Sequence, residues 1–138
     1  MKLKFIVNSY RSAEQNSISL KIKQNGNIKY NFEVCPTGRL EFDFFPHTQN
    51  NLIEFEIHNK KGKYSFVKND KIIKDTALVI EKILCNDFDL LPNINLFSNY
   101  YTEKNGTLRT NGYMGFNGRY VFKFRYPLSK HLVLCEYY

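Results

Sequence analysis

A pair of carboxylates, a run of lysines and a set of aromatic residues are the parts of this 138-residue chain with chemistry to offer. Asp87 and Asp89 stand two positions apart, so on extended backbone both project to one face. So placed, they either hold a hard cation such as calcium or cap a turn by accepting from backbone N–H groups. Lys60, Lys61, Lys63 and Lys68 begin a basic stretch that continues through Lys71 and Lys74. Its ammonium groups suit phosphate or an acidic protein surface. The same lysines also serve to solvate a loop and keep an edge strand from pairing with another chain. Tyr100, Tyr101, Tyr113, Phe116 and Asn117 fall in polar segments rich in Asn and Gly. Exposed, such rings make a platform on which a sugar or a base stacks; turned inward, they are core, and alternation puts Tyr120 there.

Nucleophilic and metal chemistry find little to work with. His47, His58 and His131 are scattered, and none accompanies a Ser or Cys in a recognised nucleophile motif. No Gly-rich phosphate loop and no H-E-x-x-H occurs. Cys35, Cys85 and Cys135 are odd in number and far apart, without a second Cys or His at ligand spacing. They read as thiols of a protein folded in a reducing cytosol, not as a zinc site or disulfide framework. The expectation is a protein that is not an enzyme and needs no cofactor, with calcium at Asp87 and Asp89 as the alternative. A net charge of +7 and a pI near 9.3 fit either an anionic partner or simple solubility. The opening MKLKFIVNSY lacks the apolar run of a signal peptide, and no stretch is long and apolar enough to cross a bilayer. Synthesis in a cytoplasm, with no membrane partner, is therefore expected.

Strands must hold these groups. The length suits one domain, 1–138, and an aromatic content of 16% favours strands with large, rigid core side chains. Leu3, Phe5 and Val7 share one face of a first strand. Leu20 and Ile22, then Tyr30 and Phe32, alternate on either side of Asn25-Gly26-Asn27. A two-residue Asn25-Gly26 turn would set Ile22 opposite Lys29, so a three-residue loop, Asn25–Asn27, is predicted, with Asn27 in the left-handed region and with Ile22 opposite Tyr30, Leu20 opposite Phe32 and Ile18 opposite Val34. Leu40–Phe44 and Ile53–Ile57 read as the next hairpin, with Phe42 beside Phe55. That register sets Glu41 against Glu56 and Asp43 against Glu54, at a cost that lysines, a cation or separation into different sheets would offset. In residues 75–91, Leu78, Glu81, Lys82 and Cys85 would allow a helix, but Val79, Ile80 and Ile83 with the Asn86-Asp87 turn, among β neighbours, favour a strand over 77–84 and a short one over 88–90; 92–109 reads as a long polar connection. Asn111–Tyr126 reads as a closing hairpin, with Tyr120, Phe122 and Phe124 inward and Val121, Lys123 and Arg125 outward. Pro127 opens either a short C-terminal helix or a further strand. The sum is an all-β, single-domain antiparallel β-sandwich, jelly-roll-like, with core positions Phe5, Leu20, Ile22, Phe32, Phe42, Phe55, Ile80, Phe122 and Phe124.

The strand Ala77–Leu84, the Asn86-Asp87 turn, then Asn111-Gly112-Tyr113, Gly115-Phe116-Asn117-Gly118 and the Pro-initiated end Pro127–Leu132 resemble small β-sandwich proteins of tailed bacteriophages. The same half is similar, more weakly, to calcium-dependent carbohydrate-binding modules. The phage resemblance implies a non-catalytic binding or assembly module of the virion, on the capsid, neck or tail, whose partners are other virion proteins or its own copies. Its localisation would be the host cytoplasm during synthesis and then the particle. The second resemblance implies a lectin-like module with a glycan ligand. A nucleic-acid partner ranks below both, because basic residues alternate with carboxylates instead of forming one stripe.

Overall fold

Alternation of apolar and polar side chains along most of the chain gives antiparallel strands that bury one face each. The computed structural model describes residues 2–46 and 50–125, with the backbone alone at Ile73. The strands are β1 (Leu3–Tyr10), β2 (Ser19–Gln24), β3 (Asn27–Phe32), β4 (Gly38–Phe44), β5 (Asn50–His58), β6 (Phe66–Lys68) and β7 (Lys71–Lys74). There follow β8 (Ala77–Cys85), β9 (Phe88–Asp89), a one-turn α1 (Ile94–Phe97), β10 (Ser98–Thr102), β11 (Thr107–Leu108), β12 (Tyr113–Met114) and β13 (Gly118–Arg125). One sheet runs β12-β8-β1-β4, with β9 added beside β8; the other runs β11-β10-β13-β5-β2-β3. Among the described residues β6 and β7 pair only with each other. Among the described residues no helix is long and apolar enough to cross a membrane.

The two sheets pack face to face as an all-β sandwich. Phe5 of the first sheet meets Phe55 and Phe122 of the second at ring-centroid distances of 5.3 and 5.0 Å. Along β13 the inward rings form a parallel row: Tyr120 and Phe122 lie 4.9 Å apart, Phe122 and Phe124 6.4 Å. Of the predicted core, Phe32 is half-buried against the cluster and the other eight positions are buried within it. Strands 77–84 and 88–90 appear as β8 and β9, with Asn86 in the left-handed region at their turn (φ 55°).

Four expectations change. The β2–β3 turn has two residues, Asn25 and Gly26, both at positive φ (52° and 83°), not three. Ile22 still faces Tyr30 and Leu20 faces Phe32, because a β-bulge at Lys29 absorbs the extra residue that the short turn would otherwise misplace; the left-handed residues are Asn25 and Gly26 and not Asn27, and Ile18 does not pair with Val34, which is exposed beyond the end of β3. β4 and β5 form no hairpin: β4 pairs with β1, and β5 lies between β13 and β2. Phe42 and Phe55 do meet, at 5.9 Å, but across the sandwich. The four carboxylates are thereby divided between sheets. Glu41 lies 3.4 Å from Lys4 and 3.3 Å from Arg39, while Glu54 takes Arg119 and Glu56 takes Lys23, both at 3.0 Å. Burial disfavours charge on Glu56, yet Lys23 and His58 outweigh it and leave its carboxyl below the ordinary range. Nor is Asn111–Tyr126 a hairpin. β12 belongs to the first sheet and β13 to the second, so Gly115–Asn117 carry the chain across. The long connection also folds more than expected, into α1, β10 and β11. His47, His131, Cys135 and the segment from Pro127 lie outside the described residues.

That crossing constrains Gly118. Its φ is 152°, and a Cβ there would lie 2.8 Å from the Thr102 Cα and closer still to the Tyr101 carbonyl oxygen, both of which are backbone. Gly106, at φ 69°, has nothing within 4 Å of the same position. Gly106→Ala should therefore cost only about 1 kcal/mol of backbone strain. Gly118→Ala should cost at least about 3 kcal/mol, with strain and displacement of a paired strand combined. Thermal melting of the two variants checks the order.

Candidate functional site

At one end of the sandwich a single carboxylate gathers the loops. Asp75 follows β7 directly, and its side chain is 9% exposed. Its Oδ1 accepts from Lys60 Nζ at 2.6 Å and from Ser65 Oγ at 2.7 Å; its Oδ2 accepts from the Tyr113 hydroxyl. The Lys60 ammonium, 7% exposed at the side chain, donates a second time to the Gly115 carbonyl at 2.5 Å. Two buried opposite charges, each with further hydrogen bonds, meet the condition under which such a pair is stable. The pair also has a geometric effect. Lys60 and Asp75 bracket residues 61–74, so their contact closes the root of the β6–β7 hairpin.

The crossing loop is fixed from two sides. Asn117 makes a reciprocal pair with the Lys60 backbone, accepting from its N–H at 2.8 Å and donating to its carbonyl at 2.7 Å. The Tyr100 hydroxyl donates to the Phe116 carbonyl and accepts from the Phe116 N–H at 2.8 Å. Tyr100 stacks on Tyr120 at 5.0 Å, extending the row of rings from the core to the loop. Gly115 leaves room for this arrangement, since a Cβ there would fall 2.5 Å from the Tyr113 ring and 3.3 Å from Asp75 Oδ2. Burial, with the Asp75 hydrogen bond and charge adding to it, pushes the Tyr113 hydroxyl well above the ordinary tyrosine range. Burial does the same to Tyr100.

The sequence-predicted residues are thus redistributed. Tyr100 is core, 1% exposed, because β10 is a strand and its alternation turns that ring inward. Tyr113 is half-buried on Asp75. Tyr101 faces outward with the Arg119 guanidinium 5.7 Å from its ring centre, and Phe116 is exposed. These rings do not make one platform. Lys60, read in the sequence with the solvated lysines, is instead joined to Tyr113, Gly115 and Asn117. Asp89 Oδ1 accepts from the Ile83 and Leu91 N–H groups, both at 3.0 Å, which is the turn-cap use, while Asp87 is exposed. Among the described residues no three His, Cys, Asp or Glu side chains gather as metal ligands. Cys35 and Cys85 are buried, and burial pushes both thiols above the ordinary range.

Beyond the clamp stands the hairpin. Asn69 and Asp70, at φ 52° and 62°, make its two-residue turn. Val67 faces Ile72 across the strands, and the two are 60% and 58% exposed; Lys68 faces Lys71. Lys61, Lys63, Lys68, Lys71 and Lys74 are exposed, and none of them is in an ion pair among the described residues. Asp75 and Ser65 were not singled out in the sequence. The available signal was Asp75 standing at the end of a lysine run that Lys60 begins. No protein-family model, curated protein or solved structure matches this chain.

Removing one buried charge should show the strength of the clamp. Lys60→Met leaves Asp75 uncompensated and should cost about 3–5 kcal/mol, whereas Lys60→Met with Asp75→Asn should cost less than the sum of the single changes. Denaturant melts of the three variants measure this. The tyrosines give a pH test. Both keep their protons to higher pH in the folded chain than in the unfolded one. The resulting stability is full below the unfolded tyrosine value of about 10 and is lost as pH rises from there toward the folded values. Denaturant midpoints should fall above pH about 10, and less steeply in Tyr113→Phe, which loses the Asp75 hydrogen bond at every pH.

Proposed function

We propose that this chain is a non-catalytic binding and assembly module that docks on an acidic surface of a larger protein assembly through the β6–β7 hairpin. The observation that carries the reading is the make-up of that hairpin. It stands apart from both sheets, exposes the Val67–Ile72 pair, and holds five lysines against one aspartate, Asp70, over residues 61–74. A lone two-stranded ribbon is marginal in water, and Lys68 opposite Lys71 weakens it further. A partner with carboxylates around an apolar socket would relieve both costs. The clamp at the hairpin's root supports the same reading, because a fixed root lowers the entropy lost on docking. The exposed pair nearest the turn, Val67 and Ile72, is aliphatic and suits a protein socket, while the exposed Phe66 ring lies at the root of the hairpin opposite Lys74.

The assembly is, on the resemblance of residues 111–118 and their surroundings, the particle of a tailed bacteriophage, with the module on its capsid, neck or tail. Mass spectrometry of particles purified from the source tests this, with the natural chain compared to a Lys68→Glu/Lys71→Glu variant. Stoichiometric natural protein and at least about tenfold depletion of the variant are expected, since the variant places like charges against an acidic socket. Absence of the natural chain from the particles, or equal incorporation of the two, would overturn the reading.

A further inference from the structure

A second basic feature lies away from the hairpin, on the outer face of the six-stranded sheet. A groove of about 620 Å³ runs between β5, β13 and the α1–β10 segment. Its floor includes Val121, which is nearly buried. Lys123 and Arg125 project outward from alternate positions of β13, and Arg109, just beyond β11, adds a third cation. All three are exposed, none has an ion-pair partner among the described residues, and no described lining residue is acidic. The neighbouring part of the same face is different. There Arg119 is held by Glu54, and Lys23 by Glu56. Those two cations are neutralised from within, whereas among the described residues the three beside the groove are not.

Amides complete the lining. Asn99 faces outward from β10 opposite Val121, and Asn95 sits on α1, donating to Asn111 Oδ1 at 2.9 Å. Side-chain amides both donate and accept, which matches hydroxyl groups. The aromatic residues bordering the groove, Phe97 and Phe124, are buried in the core and offer no free ring face for a base. The volume is that of a site for a small ligand, not a duplex-wide surface. We infer that this groove binds an acidic oligosaccharide, with Lys123, Arg125 and Arg109 on its sulfate or carboxylate groups and the asparagine amides on its hydroxyls. This site is separate from the hairpin and does not depend on the docking proposed for it.

Calorimetric titration of the full chain at low salt tests the inference with four probes: a sulfated hexasaccharide of the heparin type, a galacturonate oligomer, an uncharged glucan oligomer, and single-stranded oligothymidine of matching charge. One or both acidic sugars should bind, which identifies the acidic group, and the neutral glucan should not. Lys123→Gln/Arg125→Gln should weaken that binding at least about tenfold, while Lys68→Gln/Lys71→Gln should leave it within about twofold. Both pairs of substitutions are exposed, and thermal melts verify that each variant folds. Failure of both acidic sugars to bind would overturn the inference. So would equal losses from the two variant pairs, which mean adsorption by overall charge, or tighter binding of the oligothymidine than of either acidic sugar.

Discussion

Contact between the Lys60 ammonium and the Asp75 carboxylate, at 2.6 Å and almost wholly out of water, is the constraint on which one end of this molecule depends. Neither charge would be tolerated there alone, so each requires the other and the hydrogen bonds around them. Through Ser65 and Tyr113 the carboxylate reaches the start of the hairpin segment and the first sheet; through Gly115 the ammonium reaches the loop that crosses between sheets. Because the two residues flank 61–74, one contact both closes an excursion of the chain and ties it to the crossing. Within the bracketed segment Tyr64 is buried in the core cluster, while among the described residues β6 and β7 pair only with each other.

The clamp connects to the core by a row of rings. Phe124, Phe122 and Tyr120 stack along the inner face of β13, Tyr100 stacks on Tyr120, and the Tyr100 hydroxyl holds Phe116 by both its backbone groups. Burial that stabilises the sandwich therefore also sets the position of the loop. A similar economy governs charge. Carboxylates that would crowd one hairpin are parted between two sheets, and each meets a lysine or arginine. Among the described residues, cations without an ion pair include five lysines of residues 61–74 and the three cations beside the β13 groove.

Strand identity and facing were legible because alternation is a local property: Leu3, Phe5 and Val7, or Tyr120, Phe122 and Phe124, declare a buried face on their own. The β2–β3 pairing followed from matching faces, although the turn did not, since a bulge at Lys29 satisfies the same match with a shorter loop. Sheet membership was not legible. β4 and β5 present the same pattern whether they pair with each other or stack across the core, and nothing near them in sequence states that their partners are β1 and β13. The clamp was hidden for the same reason. Lys60 looks like its neighbours in a lysine run, and only the fold brings the crossing loop against it. Tyr100 was misplaced because polar neighbours suggested a loop where a short strand forms.

Hydrogen exchange resolved by amide tests the central claim most directly, comparing the natural chain with Asp75→Ala. The Phe116 and Lys60 N–H groups donate to the Tyr100 hydroxyl and the Asn117 amide, so they report the crossing loop from its two sides. If Asp75 holds this end together, protection at both should fall together in the variant, while amides of β1, β5 and β13 in the core remain protected. Unchanged protection at Phe116 and Lys60 in a variant that has lost the carboxylate would contradict the account.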